Sequence, residues 1–168
     1  VSLQSFAEEK ALVLPGKVLG RAKDKSIPWI TFPGLFAGGM LDIMTKFLLE
    51  TVPPSALLPN SNTLDFCCGS GMIARTLLCR EPSLNMSAMD ADAISLEAAK
   101  QNVPNAKHIL SDCWERLPSG ETFDLIISNP PVHRGLQSDF GVLCALLDGI
   151  QGGRLRADGK LWLVLQAY

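Results

Sequence analysis

Histidine is scarce in this sequence, with two in 168 residues, and the five cysteines (67, 68, 79, 113 and 144) contain no Cys-x-x-Cys pair. A zinc site would lack its usual ligand spacing, so no metal is expected. The odd cysteine count and the absence of a secretory leader at the amino terminus fit a reducing compartment. The expected location is intracellular, in the cytoplasm, with an organelle left open because the first residue is Val1 and not methionine. Long hydrophobic runs are missing as well. The most apolar stretches, 123–127 and 161–165, are far too short to cross a bilayer, which excludes a transmembrane helix and points to a soluble protein with no membrane partner. Excess positive charge is also absent. Fifteen Lys and Arg against seventeen Asp and Glu give a net charge of -2, so no global field draws the chain to nucleic acid and any RNA contact must be local. The best local excesses are Lys17, Arg21, Lys23 and Lys25 against Asp24, and Arg154, Arg156 and Lys160 against Asp158. Short runs of this kind are most often solvated faces.

What the chain does have is core material. Hydrophobic residues make up 47%, charged residues 19%, and mean hydropathy is +0.19, which excludes a disordered chain and suits one domain of this length. Residues 1–30 stand apart, with Pro15-Gly16, Gly20 and Pro28 punctuating short apolar runs, and read as a hairpin or linker extension. Beyond them, helical spacing of Leu41, Met44, Phe47 and Leu48 predicts a helix over 40–50, stopped by Pro53-Pro54. Strands and helices then alternate. Strands are predicted at 63–66, 85–89, 106–110, 123–128 and 161–166, and helices at 72–79, 93–101 and 141–150. Uniformly apolar strands in such an order predict an α/β fold, a parallel sheet with helices on both faces, whose ligands gather beyond the carboxyl ends of the strands.

The chemistry-bearing residues fall just after those strands. In Asp65-Phe-Cys-Cys-Gly-Ser-Gly71, Gly69 and Gly71 at the mouth of a helix allow close backbone approach to a ligand, and the helix terminus attracts negative charge. Asp90 stands about 20 residues on, where an acid that binds ribose belongs. This loop alone indicates a nucleoside cofactor and leaves NAD and S-adenosylmethionine unresolved. Asp65, ahead of the glycines, can fix the turn through backbone N–H groups or help hold an ammonium, a charge that a pyrophosphate would disfavour. Asp112, after the third strand, can accept from an adenine amine or serve as a turn residue.

The fourth strand ends in Ser128-Asn129-Pro130-Pro131. Two prolines remove two backbone donors and hold the chain extended, leaving carbonyls directed outward beside a carboxamide. An exocyclic amine can give one hydrogen to the Asn129 side-chain oxygen and the other to the Pro130 carbonyl. Its lone pair is then placed towards an electrophile, and catalysis comes from positioning without a strong base.

With these motifs together, the chain resembles the class I S-adenosylmethionine-dependent methyltransferases that modify amino nitrogens. More narrowly, Phe32-Pro-Gly-Leu-Phe36, Leu41-Asp42, Asn129-Pro-Pro-Val-His133 and His133-Arg-Gly-Leu-Gln137 resemble the ribosomal RNA small-subunit guanine-N2 methyltransferase family. The resemblance covers residues 31–168 as the methyltransferase domain and implies a Rossmann-like fold. It also implies cofactor contact from Asp65, Cys67, Gly69 and Gly71, ribose hydroxyls on Asp90, adenine near Asp112, and the target amine on Asn129 and Pro130, with Pro131 stiffening the corner. Phe36 then belongs to a segment closing over the site, and Val132, His133 and Arg134 lie on the substrate side. The implied cofactor is S-adenosyl-L-methionine and the implied partner is ribosomal RNA.

Three departures stand out. Cys67 replaces the first glycine of the family loop, and Val132 replaces an aromatic that stacks on a flipped base. The family's closing antiparallel strands are absent from these residues, so the chain is expected to be truncated at its carboxyl end. Two other readings compete: a non-catalytic RNA-binding or assembly module that keeps the fold, and a methyltransferase of protein glutamine amides, which also present two N–H donors. An NAD-dependent oxidoreductase is the weakest, because nothing offers a paired acid or base for hydride transfer.

Overall fold

A computed structural model describes residues 2–134 and 137–165, the side chains of Arg134 and Gln137 excepted. The punctuated amino-terminal stretch forms an antiparallel hairpin of β1 (Glu8–Leu14) and β2 (Lys25–Thr31). Period-two alternation puts Leu12, Leu14, Ile27 and Trp29 on its buried side, where they pack with Met72, and leaves Val13 exposed. Helix α1 (Ile43–Thr51) starts at Asp42, whose carboxylate accepts from Met44 N at 2.9 Å and Thr45 N at 3.3 Å. The cap requires extended backbone at Asp42, so the helix begins later than residue 40, where apolar spacing alone would start it.

From there the chain alternates through β3 (Asn62–Phe66), α2 (Met72–Arg80), β4 (Asn85–Asp90), α3 (Ala93–Asn102), β5 (Lys107–Leu110) and β6 (Phe123–Ser128). A two-residue ladder, β7 (His133–Arg134) with β8 (Gln137–Ser138), precedes α4 (Gly141–Gly149), and β9 (Leu155–Leu163) closes the series. The main sheet is parallel throughout, in the order β5-β4-β3-β6-β9. Helices cover both faces. Leu49 of α1, Leu77 of α2 and Leu96 of α3 pack with Leu125 and Ile127 on one side. Leu146 of α4 packs with Leu64, Phe66 and Ile126 on the other. This is the predicted α/β architecture. The strand order reverses between β3 and β6, and the crevice above their carboxyl ends is where such sheets bind ligands.

The last strand is longer at its start than the apolar run 161–166 implies. Arg156, Ala157, Asp158 and Gly159 are absorbed as an irregularity, the pairing jumping from Phe123 with Leu155 to Leu125 with Lys160. Residue 166 lies outside the described residues.

One buried carboxamide ties the layers together. Asn102, at the end of α3 and 6% exposed, accepts from Ile30 N at 2.7 Å and donates to Ile30 O at 2.9 Å and Ser70 O at 3.1 Å. Ser70 in turn donates to Gly39 O at 3.0 Å, which also receives the Trp29 indole N–H at 2.6 Å. The hairpin, the turn after it and the glycine loop after β3 therefore share one hydrogen-bonded seam.

Candidate active site

The loop between β3 and α2 runs through three left-handed residues, Cys67 (φ 60°), Gly69 (φ 54°) and Gly71 (φ 88°). The two glycines do different things. A Cβ placed on Gly69 would meet nothing within 4 Å, so this residue shows bare backbone to open space on the cleft wall. A Cβ on Gly71 would lie 2.7 Å from Val103 Cγ2 and 3.4 Å from Ala99, so its absence lets α2 sit against α3. Gly71 is not among the residues that line the cleft.

Acids hold this loop in place. Asp90, at the end of β4, accepts from Gly69 N at 2.8 Å with one oxygen and from Asp92 N at 2.9 Å with the other, and it lines the cleft. Burial pushes its pKa up, against the pull of those backbone donors. Asp65 lies beneath the loop, fully buried. One oxygen accepts from Ala74 N at 2.9 Å while the other has no partner. Burial raises its pKa to about 8, with the Ala74 N–H opposing and Asp90 adding to the rise. Asp112 is exposed at the cleft wall beside Cys113. Burial pushes the Cys67 thiol well up and lifts Cys113 to about 11, which disfavours the thiolate form at both cleft cysteines.

Opposite them, β6 ends at Asn129 and the diproline corner. Pro130 is buried and Pro131 exposed. The Asn129 Nδ2 donates to Thr45 Oγ1 of α1 at 3.1 Å, which leaves Oδ1 as the carboxamide atom free to accept. A single cleft of about 470 Å³ brings together Phe36, Cys67, Gly69, Asp90, Asp112, Asn129, Pro130, Pro131, Val132 and His133. Phe36 stands 71% exposed at the rim, in a turn where Ala37 and Gly38 are left-handed. Arg134, next in the chain after His133, pairs through its backbone with Gln137 in β7–β8, and its side chain lies outside what the structure describes.

Chemically, the cleft pairs an apolar floor of Phe66, Met89 and Val142 with the carboxylates of Asp90 and Asp112, and no Lys or Arg lines it among the described residues. A pyrophosphate would find acids there and, among the described residues, no Lys or Arg to counter its charge. A nucleoside carrying positive charge would find acceptors for its hydroxyls and amines, and an apolar slot for its base. No group of three or more metal-ligating side chains occurs among the described residues.

Comparison with known proteins meets this geometry directly: the family model of the methyltransferase small domain matches residues 26–168. The chain belongs to the methyltransferase small domain family. Among its relatives, the ribosomal RNA small subunit methyltransferase C of Pseudoalteromonas translucida is 35% identical, over 86% of this chain and 42% of its own length. The protein of the same name from Pseudomonas entomophila is 33% identical, over 99% of this chain and 47% of its own. The chain thus spans about half the length of the curated relatives it matches. In fold it is similar to a Thermus thermophilus 16S rRNA N2 G1207 methyltransferase solved with AdoMet and guanosine. The TM-score is 0.76 at 23% identity, over 97% of this chain and 43% of that one. A precorrin-6y C5,15-methyltransferase from Geobacter metallireducens shares the architecture with a TM-score of 0.58 and 16% identity.

Within this methyltransferase domain, Thr45 was not foreseen as a site residue. It is 84 residues from Asn129 in the chain, and its only local signal is its place in the first turn after the Asp42 cap. Cys113 and Val142 also line the cleft, and no motif in the sequence marks them. Each follows a strand or opens a helix at the carboxyl edge of the sheet, the position that could have singled them out.

Proposed function

We propose that this chain is the catalytic domain of an S-adenosylmethionine-dependent N-methyltransferase whose target is the exocyclic N2 amine of a guanine in small-subunit ribosomal RNA. The observation that carries this reading is the Asn129–Pro130 corner at the end of β6, which faces the acid-lined nucleoside cleft with a carboxamide whose donor end is already engaged. The names of the relatives supply the substrate class, and a ribosomal substrate in bacterial relatives supports a cytoplasmic reaction.

The residues present suit the cofactor. Gly69 offers a wall without a side chain, Asp90 and Asp112 offer acceptors for hydroxyl and amine groups, and among the described residues no Lys or Arg lines the cleft to oppose a sulfonium. S-adenosylmethionine, when bound, supplies an electrophilic methyl group. On the substrate side, Asn129 Oδ1 and the Pro130 carbonyl accept the two hydrogens of the amine. Held this way, the nitrogen lone pair is withdrawn from conjugation with the ring and directed into the cleft. The diproline backbone cannot relax to follow a misplaced base, because each ring fixes φ. A paired guanine must leave its stack to reach this corner, with Phe36, Val132 and His133 at the rim to receive it.

The test is tritiated methyl transfer from S-adenosylmethionine to small ribosomal subunits, comparing wild type with Asn129→Ala. Label in guanine N2 of the RNA, strongly reduced in the variant to a residual rate that is measurable at high enzyme concentration, is the expected result. Label on ribosomal protein, or transfer unaffected by the substitution, overturns the reading.

A further inference from the structure

We infer that Thr45 is a positioning residue for the methyl-transfer reaction: its hydroxyl anchors the Asn129 carboxamide against α1, with Oδ1 left to face the substrate. This inference rests on the reading of the site given above. An Asn side chain can present its oxygen or its NH2 to the same place by a half-turn about its last bond, and the two ends differ by little in size. In an amine-accepting corner only one orientation works, because an NH2 turned to the target amine sets donor against donor. Nothing in the diproline backbone chooses between them. The side chain is instead held from α1, where Thr45 Oγ1, on a residue only 5% exposed, receives Asn129 Nδ2 at 3.1 Å and so keeps that end away from the substrate.

Thr45 is itself held. Its backbone N–H donates to Asp42 Oδ1 at 3.3 Å, beside Met44 N at 2.9 Å, so the hydroxyl is carried on a capped first turn and not on a loose helix end. That turn follows directly after the Phe36–Gly39 turn at the rim of the cleft. The acceptor geometry at the end of β6 is therefore set from outside the sheet, by the segment that also carries Phe36. Thr45 is not among the residues lining the cleft, so it acts through Asn129 and not on the substrate.

Thr45→Val keeps the shape and removes the hydroxyl. In methyl transfer to small ribosomal subunits it should lower kcat by roughly ten- to a hundred-fold, the range for losing one oriented polar contact at a reacting group. The affinity for S-adenosylmethionine, measured by calorimetry, should stay within about twofold. Thr45→Ser should restore kcat. In the Asn129→Ala background, Thr45→Val should cost nothing further, because a residue that acts through the carboxamide has nothing left to position. Should Thr45→Val fold poorly, Thr45→Ala removes the same hydroxyl with fewer atoms and carries the same expectation. Wild-type kcat in both hydroxyl-free variants, alongside a strongly impaired Asn129→Ala, would overturn the role of Thr45 and leave the proposed function standing. A further loss in the double variant would assign Thr45 to general packing. Failure of Asn129→Ala to change transfer would instead remove the underlying reading.

Discussion

Gly69 and Gly71 belong to one loop, yet adding a methyl group to each should produce opposite phenotypes. Both have left-handed backbones, at φ 54° and 88°, so either alanine costs about 1–2 kcal/mol in backbone strain. At Gly69 nothing more is owed in stability, since the new methyl group points into open space. At Gly71 the methyl group would stand 2.7 Å from Cγ2 of Val103, a fully buried, β-branched side chain with little rotamer freedom. Overpacking of that kind adds about 1–3 kcal/mol, for a total of about 2–5 kcal/mol at Gly71. In a chain of this length each kcal/mol moves Tm by about 2–4 °C. Urea unfolding should therefore rank Gly71→Ala well below Gly69→Ala in stability. Calorimetry with S-adenosylmethionine should show the reverse for affinity: a loss of tenfold or more in Gly69→Ala, and near wild-type affinity for whatever fraction of Gly71→Ala is folded. Trimming Val103 to Ala in the Gly71→Ala background should recover part of the overlap energy. Equal stability losses, or a cofactor defect larger in folded Gly71→Ala than in Gly69→Ala, would refute this division of labour.

Burial raises Asp65 to about 8 in the folded chain from an ordinary value of 3.8, so between those values the folded state holds a proton that the unfolded state has released. Stability without cofactor should therefore fall as pH rises from about 4 to about 8, and Asp65→Asn should flatten that slope in urea titrations at pH 5 and pH 8. Asp90→Ala removes an acceptor for Gly69 N as well as a cleft carboxylate; calorimetry should show S-adenosylmethionine affinity down at least tenfold, with a stability loss of only about 1–2 kcal/mol. Val132→Phe restores an aromatic beside the diproline corner, and stacking worth about 1–3 kcal/mol should appear as a lower KM for ribosomal subunits with kcat little changed.

Much of the fold was readable because its strands are buried on both faces. Leu64 to Phe66 and Leu125 to Ser128 are continuous buried runs, and a buried parallel strand leaves that trace in a sequence. The start of β9 left no such trace, since Arg156, Asp158 and Gly159 look like a turn and are carried by an irregular register. The late start of α1 was also hidden, because apolar spacing marks the face of a helix while the Asp42 cap decides its first residue. In the cleft, the residues that follow strands could be named one by one. Their gathering into one wall depends on the strand order, and the separate duties of Gly69 and Gly71 depend on Val103, a residue in another element. The bond from Thr45 to Asn129 crosses 84 residues, and no local pattern announces a contact of that span.

The Asn102 seam bears on how this protein can be cut. Removing the first thirty residues takes away the backbone of Ile30 that occupies two of the Asn102 contacts, and the indole that braces Gly39. The amide left behind would still reach Ser70, but without its anchor on the far side. An amino-terminal deletion would therefore be felt in the pocket, loosening the ligand-facing loop from a distance, and a shortened protein with weak binding would report a slackened tether rather than a missing contact.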